Sequence, residues 1–385
     1  MISDLPEEAP LILARFGISR TANITAVVGG HINRSWRVVP SSEDKAAGTA
    51  TRDLEPGTPS LLLQRVNPQV FPDGGVVMQN MAAVCDHLQR AARRLGLSQP
   101  ERRVLRLLRT LGGDVAVQGS DGAWWRLVEF IEDTQVIEQA RSPAEAREAG
   151  RAFGLFQRLL ADYAGSPLAE TIPGFHDTAL RIARLEAAAL RDDRGRRREV
   201  AAELGFALGR RGHADVLPPL VASGALPRRV VHNDAKIGNV LLDARTGEGL
   251  AVIDLDTVMP GTLLSDVGDL LRSIASATAE DEPDLARIEV SRPLVEALMS
   301  GFLEACGGAL TEAERGLLVF SGILLAYEQG VRFLTDYLEG DVYYRTAHPG
   351  HNLDRARAQL RLVELLEGER GRLEKLVAEI VRRET

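Results

Sequence analysis

The sequence predicts an α+β chain in two lobes: a small, mostly antiparallel sheet with one helix over residues 1–133, then a large helical lobe over 134–385. Three observations predict it. The chain has 385 residues, too many for one small core. Short apolar runs separated by turn residues fill the first third, as strands do. From Ser142 onward the apolar spacing becomes helical, interrupted by two strand-like runs at 240–242 and 251–253.

Residues 11–16 form a short apolar patch with helical character, closed by Gly17. Residues 25–28 and 35–39 read as strands flanking Gly29-Gly30-His31-Ile32-Asn33. A strand, a glycine turn and a returning strand can bring backbone N–H groups to phosphates, which makes Gly29, Gly30 and His31 candidate nucleotide contacts. An ordinary hairpin turn is the plainer alternative. Residues 40–60, rich in Ser, Gly, Thr and charge, read as a long hairpin tip. Residues 61–66 are the next strand, and 76–95 a helix stopped by Gly96. Residues 104–108 and 124–130 read as further strands, with Asp121-Gly122 as a turn before the second and 130–133 as the hinge between lobes.

Ser142-Pro143-Ala144-Glu145 carries an N-cap, a proline in the first turn and an acidic third position, so a helix runs from there to about 163. Further helices are expected at 175–190, 196–211, 292–305 and 311–339, the last broken near Gly322 or Gly330. Asp266 reads as a helix N-cap and Asp269 as a first-turn acid. Residues 354–383 read as a long, charged, solvated final helix.

The chemistry gathers in residues 230–261, V-V-H-N-D-A-K-I-G-N-V-L-L-D and then A-V-I-D-L-D-T-V-M-P-G. A hairpin over residues 244–249 would bring Asp234, Asn239 and Asp254 to one end of the unit. Phosphoryl transfer needs a carboxylate to orient the attacking hydroxyl and oxygen ligands for Mg²⁺ on the nucleotide. Protein kinases assign these roles to the Asp and Asn of H-R-D-x-x-x-x-N and to an Asp after the next strand. Here H-N-D-x-x-x-x-N keeps that Asp-to-Asn spacing, and I-D-L-D follows. Asp234 is the candidate for receiving the hydroxyl proton, Asn239 and Asp254 for holding Mg²⁺, and Lys236 for meeting the γ-phosphate of ATP. His232 reads as a brace of the loop. Asp256 is open between bracing the loop and touching the acceptor.

These motifs resemble the aminoglycoside phosphotransferase and choline kinase superfamily, small-molecule kinases with a protein-kinase-like fold. H-N-D-A-K-I-G-N, V-I-D-L-D-T-V-M-P-G, L-L-L-Q-R-V-N-P-Q-V-F, I-P-G-F-H-D-T and R-F-L-T-D-Y-L look most like its N-acetylhexosamine 1-kinase group. The resemblance spans about residues 25–344. It implies ATP and Mg²⁺ as cofactors and transfer to the anomeric hydroxyl of a free sugar, with Arg332 and Tyr343 as sugar contacts. The chain departs from the kinase pattern at one place. Gln64 and Arg65 stand where the phosphate-binding strand lysine is expected, and Met78-Gln79-Asn80 where its glutamate partner is. Either Gln64 or Arg65 is left as the phosphate contact.

Composition narrows the alternatives. A formal net charge of −8 argues against a nucleic-acid binder relying on phosphate attraction. No apolar stretch approaches the about 20 residues of a membrane span. The opening M-I-S-D-L-P-E-E lacks a basic-then-apolar leader pattern. Two cysteines, Cys85 and Cys306, sit in apolar surroundings without a C-x-x-C, which fits free thiols and a cytoplasmic setting. The expected partner is a small-molecule sugar acceptor.

Overall fold

The computed structural model describes residues 5–19, 22–27, 33–40 and 60–384. Gly29, Gly30, His31 and most of the expected hairpin tip lie outside the described residues.

A short helix α1 (Ala9–Arg15) leads into a five-stranded antiparallel sheet: β1 (Asn23–Ala26), β2 (Arg34–Val39), β3 (Leu61–Arg65), β4 (Val117–Gln118) and β5 (Trp124–Glu129), in the order β1-β2-β3-β5-β4. One face buries Trp36, Val38, Leu61, Leu63, Trp125 and Leu127 against α1. That alternation pins the register, because a one-residue slip would turn the whole set to solvent. The register sets Gln64 of β3 beside Arg126 of β5. Helix α2 (Gly74–Arg94) starts where Asp73 accepts the Val76 N–H and stops at Gly96, whose φ of 67° favours glycine.

Residues 104–108 do not form a regular strand. They follow a one-turn helix, α3 (Pro100–Arg103), and make a single bridge, Leu107 to Val128. The edge strand is instead β4, too short to show a periodic signal.

The rest is mostly helical: α4 (Pro143–Leu160), α5 (Thr178–Arg191), α6 (Ala201–Gly209), α7 (Leu217–Ala222), α8 (Leu263–Ile274), α9 (Arg292–Cys306), α10 (Glu312–Gly316), α11 (Leu318–Glu339) and α12 (His351–Glu384). Ser142 and Glu145 form the expected capping box at the start of α4. Helices α4 and α9 pack at close range: a Cβ on Gly150 would collide with the Leu298 carbonyl, and one on Gly301 with that of Arg147.

Two helical expectations are corrected. The break in 311–339 falls at Gly316-Leu317, and the helix runs straight through Gly322 and Gly330. Those glycines let Leu271 and Leu360 pack against its backbone. The final helix is not merely a solvated one. Its stripe of Leu353, Ala356, Leu360, Val363, Leu366, Leu376 and Ile380 is buried, and it packs along α11. The many Arg and Glu around that stripe hid it.

Between α7 and α8 lies the central unit. Strands β8 (Val240–Asp243) and β9 (Gly249–Val252) form the expected antiparallel hairpin, with β6 (Thr134–Gln135) on its edge. Strands β7 (Arg229–Val231) and β10 (Met259–Gly261) pair and close the unit. The fold is the α+β arrangement read from the sequence: a small antiparallel sheet first, then a helical part carrying the hairpin.

Candidate active site

The loop after β7 is held from several sides. His232 is fully buried, and its ring engages the Ile253 carbonyl at 2.8 Å. Asn233 adopts a left-handed φ of 65°, and Asp254 one of 61°. Such positions persist where surrounding bonds over-determine them. Asp266 supplies the bonds at Asn233, accepting the His232 N–H at 2.9 Å and the Asn233 N–H at 2.8 Å. Gln157 donates to the same carboxylate at 2.7 Å. Asp266 is therefore not a helix N-cap; it lies inside α8 and anchors the loop. The first-turn acid is Asp266, and Asp269 lies beyond that turn, buried and bonded to Arg272 at 2.7 Å.

Asp234, Lys236, Asn239 and Asp254 come together at the end of the β8–β9 hairpin. Asn239 donates to the Asp234 carbonyl at 2.7 Å and to its carboxylate at 3.1 Å. The Ile253 N–H reaches the Asn239 carbonyl at 2.9 Å, tying the segment before Asp254 to the loop. Lys236 Nζ stands 3.2 Å from the Asp234 carboxylate. Burial works against a charged Asp234, but Lys236 and His232 outweigh it and hold its pKa down to about 2. Asp254 moves the other way, to about 6, pushed by burial and then by Asp256 and Asp234. Crowded carboxylates of this kind suit a cation.

Among the described residues no group of three or more His, Cys, Asp or Glu converges as a metal site. The two oxygen donors Asn239 and Asp254 fit an ion such as Mg²⁺, which takes its other ligands from phosphates and water.

The two candidate phosphate contacts on β3 diverge. Arg65 turns outward to an ion pair with Asp121. Gln64 turns inward, accepting from Arg126 at 2.8 Å. Arg126, which sequence reasoning missed, is 1% exposed and ion-paired with Asp256 across the two parts of the molecule. Asn33 donates to the other Asp256 oxygen at 2.5 Å. Both oxygens of Asp256 thus accept a bond, one from Arg126 of the sheet and one from Asn33. Asn80, in the place of the expected glutamate, donates to the carbonyls of Ala169 and Val258 and so ties α2 to the same segment.

A cleft opens beside α11, lined by Arg181, Arg332, Asp336, Glu339, Tyr343 and Tyr344 among others. Arg332 donates to Gln329 at 3.1 Å and lies 5.0 Å from the ring centre of Phe175. Tyr343 is 57% exposed at the rim, while Tyr344 sits deeper, with its ring 5.7 Å from the Arg332 guanidinium. A chain of contacts joins cleft to loop: Glu328 of α11 pairs with His176 at 2.8 Å, and His176 engages the Asn233 carbonyl at 3.0 Å. Burial works against a charged Arg332, but Tyr344, Glu328, Tyr343 and Asp234 outweigh it and raise its pKa. Arg181, Glu328 and Tyr344 carried no motif in the sequence, whereas His176 stands within I-P-G-F-H-D-T. Glu328 shows only as an acid in the apolar run of α11.

A small sheet over a helical part, with a carboxylate, an amide and a second carboxylate gathered on one hairpin, is the apparatus of a phosphotransferase. The profile of the phosphotransferase enzyme family (APH) matches residues 24–298, and the chain belongs to that family. Solved structures share the fold at low identity. An aminoglycoside phosphotransferase from Alicyclobacillus acidocaldarius aligns over 97% of this chain and 98% of its own, with 15% identity and a TM-score of 0.57. A microcompartment-associated aminopropanol kinase aligns over 94% and 96%, with 14% identity and a TM-score of 0.53. An amicoumacin kinase in complex with AMP-PNP and Ca²⁺ aligns over 88% and 87%, with 13% identity and a TM-score of 0.53. Among the described residues no helix is long and apolar enough to cross a membrane.

Proposed function

We propose that the chain is an ATP-dependent sugar kinase that phosphorylates the anomeric hydroxyl of a free sugar of the N-acetylhexosamine type. The observation that carries the kinase reading is the convergence of Asp234, Asn239 and Asp254 on one hairpin. Residues 1–133 would form the nucleotide lobe and 134–385 the acceptor lobe, in a cytoplasmic protein whose two cysteines are free and buried. Gly29, Gly30, His31 and Gln64 would face the nucleotide, and Asn239 and Asp254 the Mg²⁺ on its phosphates.

In the transfer, the acceptor oxygen bonds to the γ-phosphorus while the bond to the β–γ bridging oxygen breaks, releasing ADP. Asp234 orients the hydroxyl and takes its proton. A carboxylate held near pKa 2 is a weak base, so alignment carries more of the rate than basicity. Lys236, drawn from Asp234 toward the γ-phosphate, would neutralise its developing charge.

What supports a sugar acceptor is that Arg332 and Tyr343 line one cleft connected to the Asp234 loop. A guanidinium and a phenol can bind sugar hydroxyls and an acetamido carbonyl. The second reading, an amino alcohol or aminoglycoside acceptor, would ask for unengaged carboxylates, and the cleft offers arginines instead. A nucleotide-binding module without catalysis is disfavoured by the intact Asp234–Asn239–Asp254 set.

A screen of free sugars and their 1-O-methyl glycosides with ATP and Mg²⁺, read by phosphorus NMR, tests the proposal. Transfer is expected to the free sugars and not to the glycosides, since the glycoside leaves buried polar partners without the hydroxyl they bind. Equal transfer to methyl glycosides would remove the anomeric assignment and leave a general small-molecule kinase.

A further inference from the structure

The acceptor cleft holds cations that its own carboxylates do not serve. Among the described residues neither Arg181 nor Arg332 has a carboxylate within ion-pair distance. Arg332 reaches only the Gln329 amide, and Arg181 only the carbonyls of Gly174 and Phe175. The Nε of Arg181 is buried with no hydrogen-bond partner at all. After burial itself, Arg332 is the main influence pulling the Arg181 pKa down.

The carboxylates nearby are taken. Glu328 serves His176 at 2.8 Å and Thr178 at 2.7 Å. Asp336 accepts the backbone N–H groups of residues 342, 343 and 344, and a fourth bond from Asn352. Glu339 faces Arg184 at 3.6 Å and Arg191 at 3.0 Å.

Both arginines are half-buried, and the forked donors of a guanidinium match a carboxylate or a phosphate. A neutral acetamido group would use one donor and leave both guanidinium groups without a directly bonded anion. An ammonium would add a further like charge to the cleft.

We propose that the acceptor carries an anion, held between Arg181 and Arg332. Resting on the sugar-kinase reading above, this narrows the substrate class to acidic sugars: a reducing hexose or amino-hexose bearing a carboxylate or a phosphate ester away from the anomeric hydroxyl. The transfer chemistry at Asp234 is unchanged. Arg332 then binds the acid group rather than the ring hydroxyls alone.

The test uses the full chain with ATP and Mg²⁺ and acceptors matched in all but charge. Glucose, glucuronate, glucose 6-phosphate and glucosamine form the sugar series; glycerol, glycerate and aminopropanol repeat the charges off a sugar. The acid should exceed its neutral twin by at least about tenfold in kcat/KM, the range a hydrogen bond to a charged group supplies. The uronate and phosphate arms distinguish which anion fits. Arg181→Gln and Arg332→Gln should bring the acid-to-neutral ratio toward one, whereas a purely structural role would lower both substrates alike.

A neutral or cationic twin that performs as well as the acid overturns the inference and leaves the sugar reading standing. Glycerate accepted while every sugar is refused supports the anion site and sinks the sugar reading. If no probe is turned over, thermal melting of the enzyme saturated with AMP-PNP and Mg²⁺ decides. A shift caused by anions only and lost in Arg181→Gln supports the site, and no shift overturns it.

Discussion

Arg126 is buried and Arg332 half-buried, and they differ in how the chain pairs them. Arg126 joins the sheet to the segment behind Asp254, and the protein completes it with Asp256 and Gln64. Arg332 meets an amide and two aromatic rings, but no carboxylate within ion-pair distance among the described residues. A buried cation paired within the chain is a strut. One left unpaired is a group whose partner comes from outside. On the proposed function, the first region would supply rigidity and the second recognition.

The largest expected effect lies between them. Asp234→Asn should lower kcat by about 10²–10⁴ with nucleotide and acceptor affinity nearly kept. Turnover and kcat/KM should fall together, because the loss is confined to the transition state. Unchanged turnover in a preparation free of wild-type enzyme would remove Asp234 from the chemistry.

The strut comes next. Arg126→Met should lower stability by about 3–5 kcal/mol, since it leaves the Asp256 charge buried alone. Adding Asp256→Leu should restore much of that loss in urea unfolding. A neutral single variant would erase the contrast with Arg332.

Asn239→Ala or Asp254→Ala should raise the Mg²⁺ concentration needed for half-maximal rate while the melting temperature stays near that of the wild type. Full turnover at low Mg²⁺ would withdraw that residue as a ligand. On the recognition side, Arg332→Ala should raise the acceptor KM about tenfold with the KM for ATP little changed. An equal rise in both would show that the cleft is not separate from the nucleotide site.

The smallest effect is a pH slope at the link between cleft and loop. Burial opposes the charged form of His176, but Glu328 outweighs it and lifts the pKa above the usual value of about 6.5, with Arg332 opposing and Asp269 assisting. The pair therefore stabilises the fold fully below about pH 6.5 and loses that contribution as pH rises through the higher folded value. His176→Gln should lack this slope between about pH 6 and 8 in urea unfolding, so that the two proteins differ most at the acid end of that range. Parallel stability curves for the two proteins would refute it.

Much of this was legible in the chain. The β8–β9 hairpin declares itself through two β-branched runs and a glycine-containing link, and the capping box at Ser142 is a local pattern of four residues. Asp234 and Asn239 stand five residues apart, so their spacing alone signals a shared task. The final helix is only half legible: its length shows, but dense charge masks its buried stripe. Asp266 misleads because an acid near a helix start has a common local use, and nothing in its neighbours announces a loop 33 residues upstream.

The sequence by itself determined the α+β class, the order of the main elements and the set Asp234, Lys236, Asn239 and Asp254. Periodicity, caps and short motifs are local signals, and those features are written in them. The tertiary structure alone decided that Gln64 faces inward and Arg65 outward, that Arg126 meets Asp256 at a separation of 130 residues, and that Arg181 and Arg332 share a cleft with no carboxylate at ion-pair distance from either among the described residues. Pairing of a charge depends on which distant segment folds against it. Burial then fixes how much that pairing matters, because the same arginine left in water would need no partner at all.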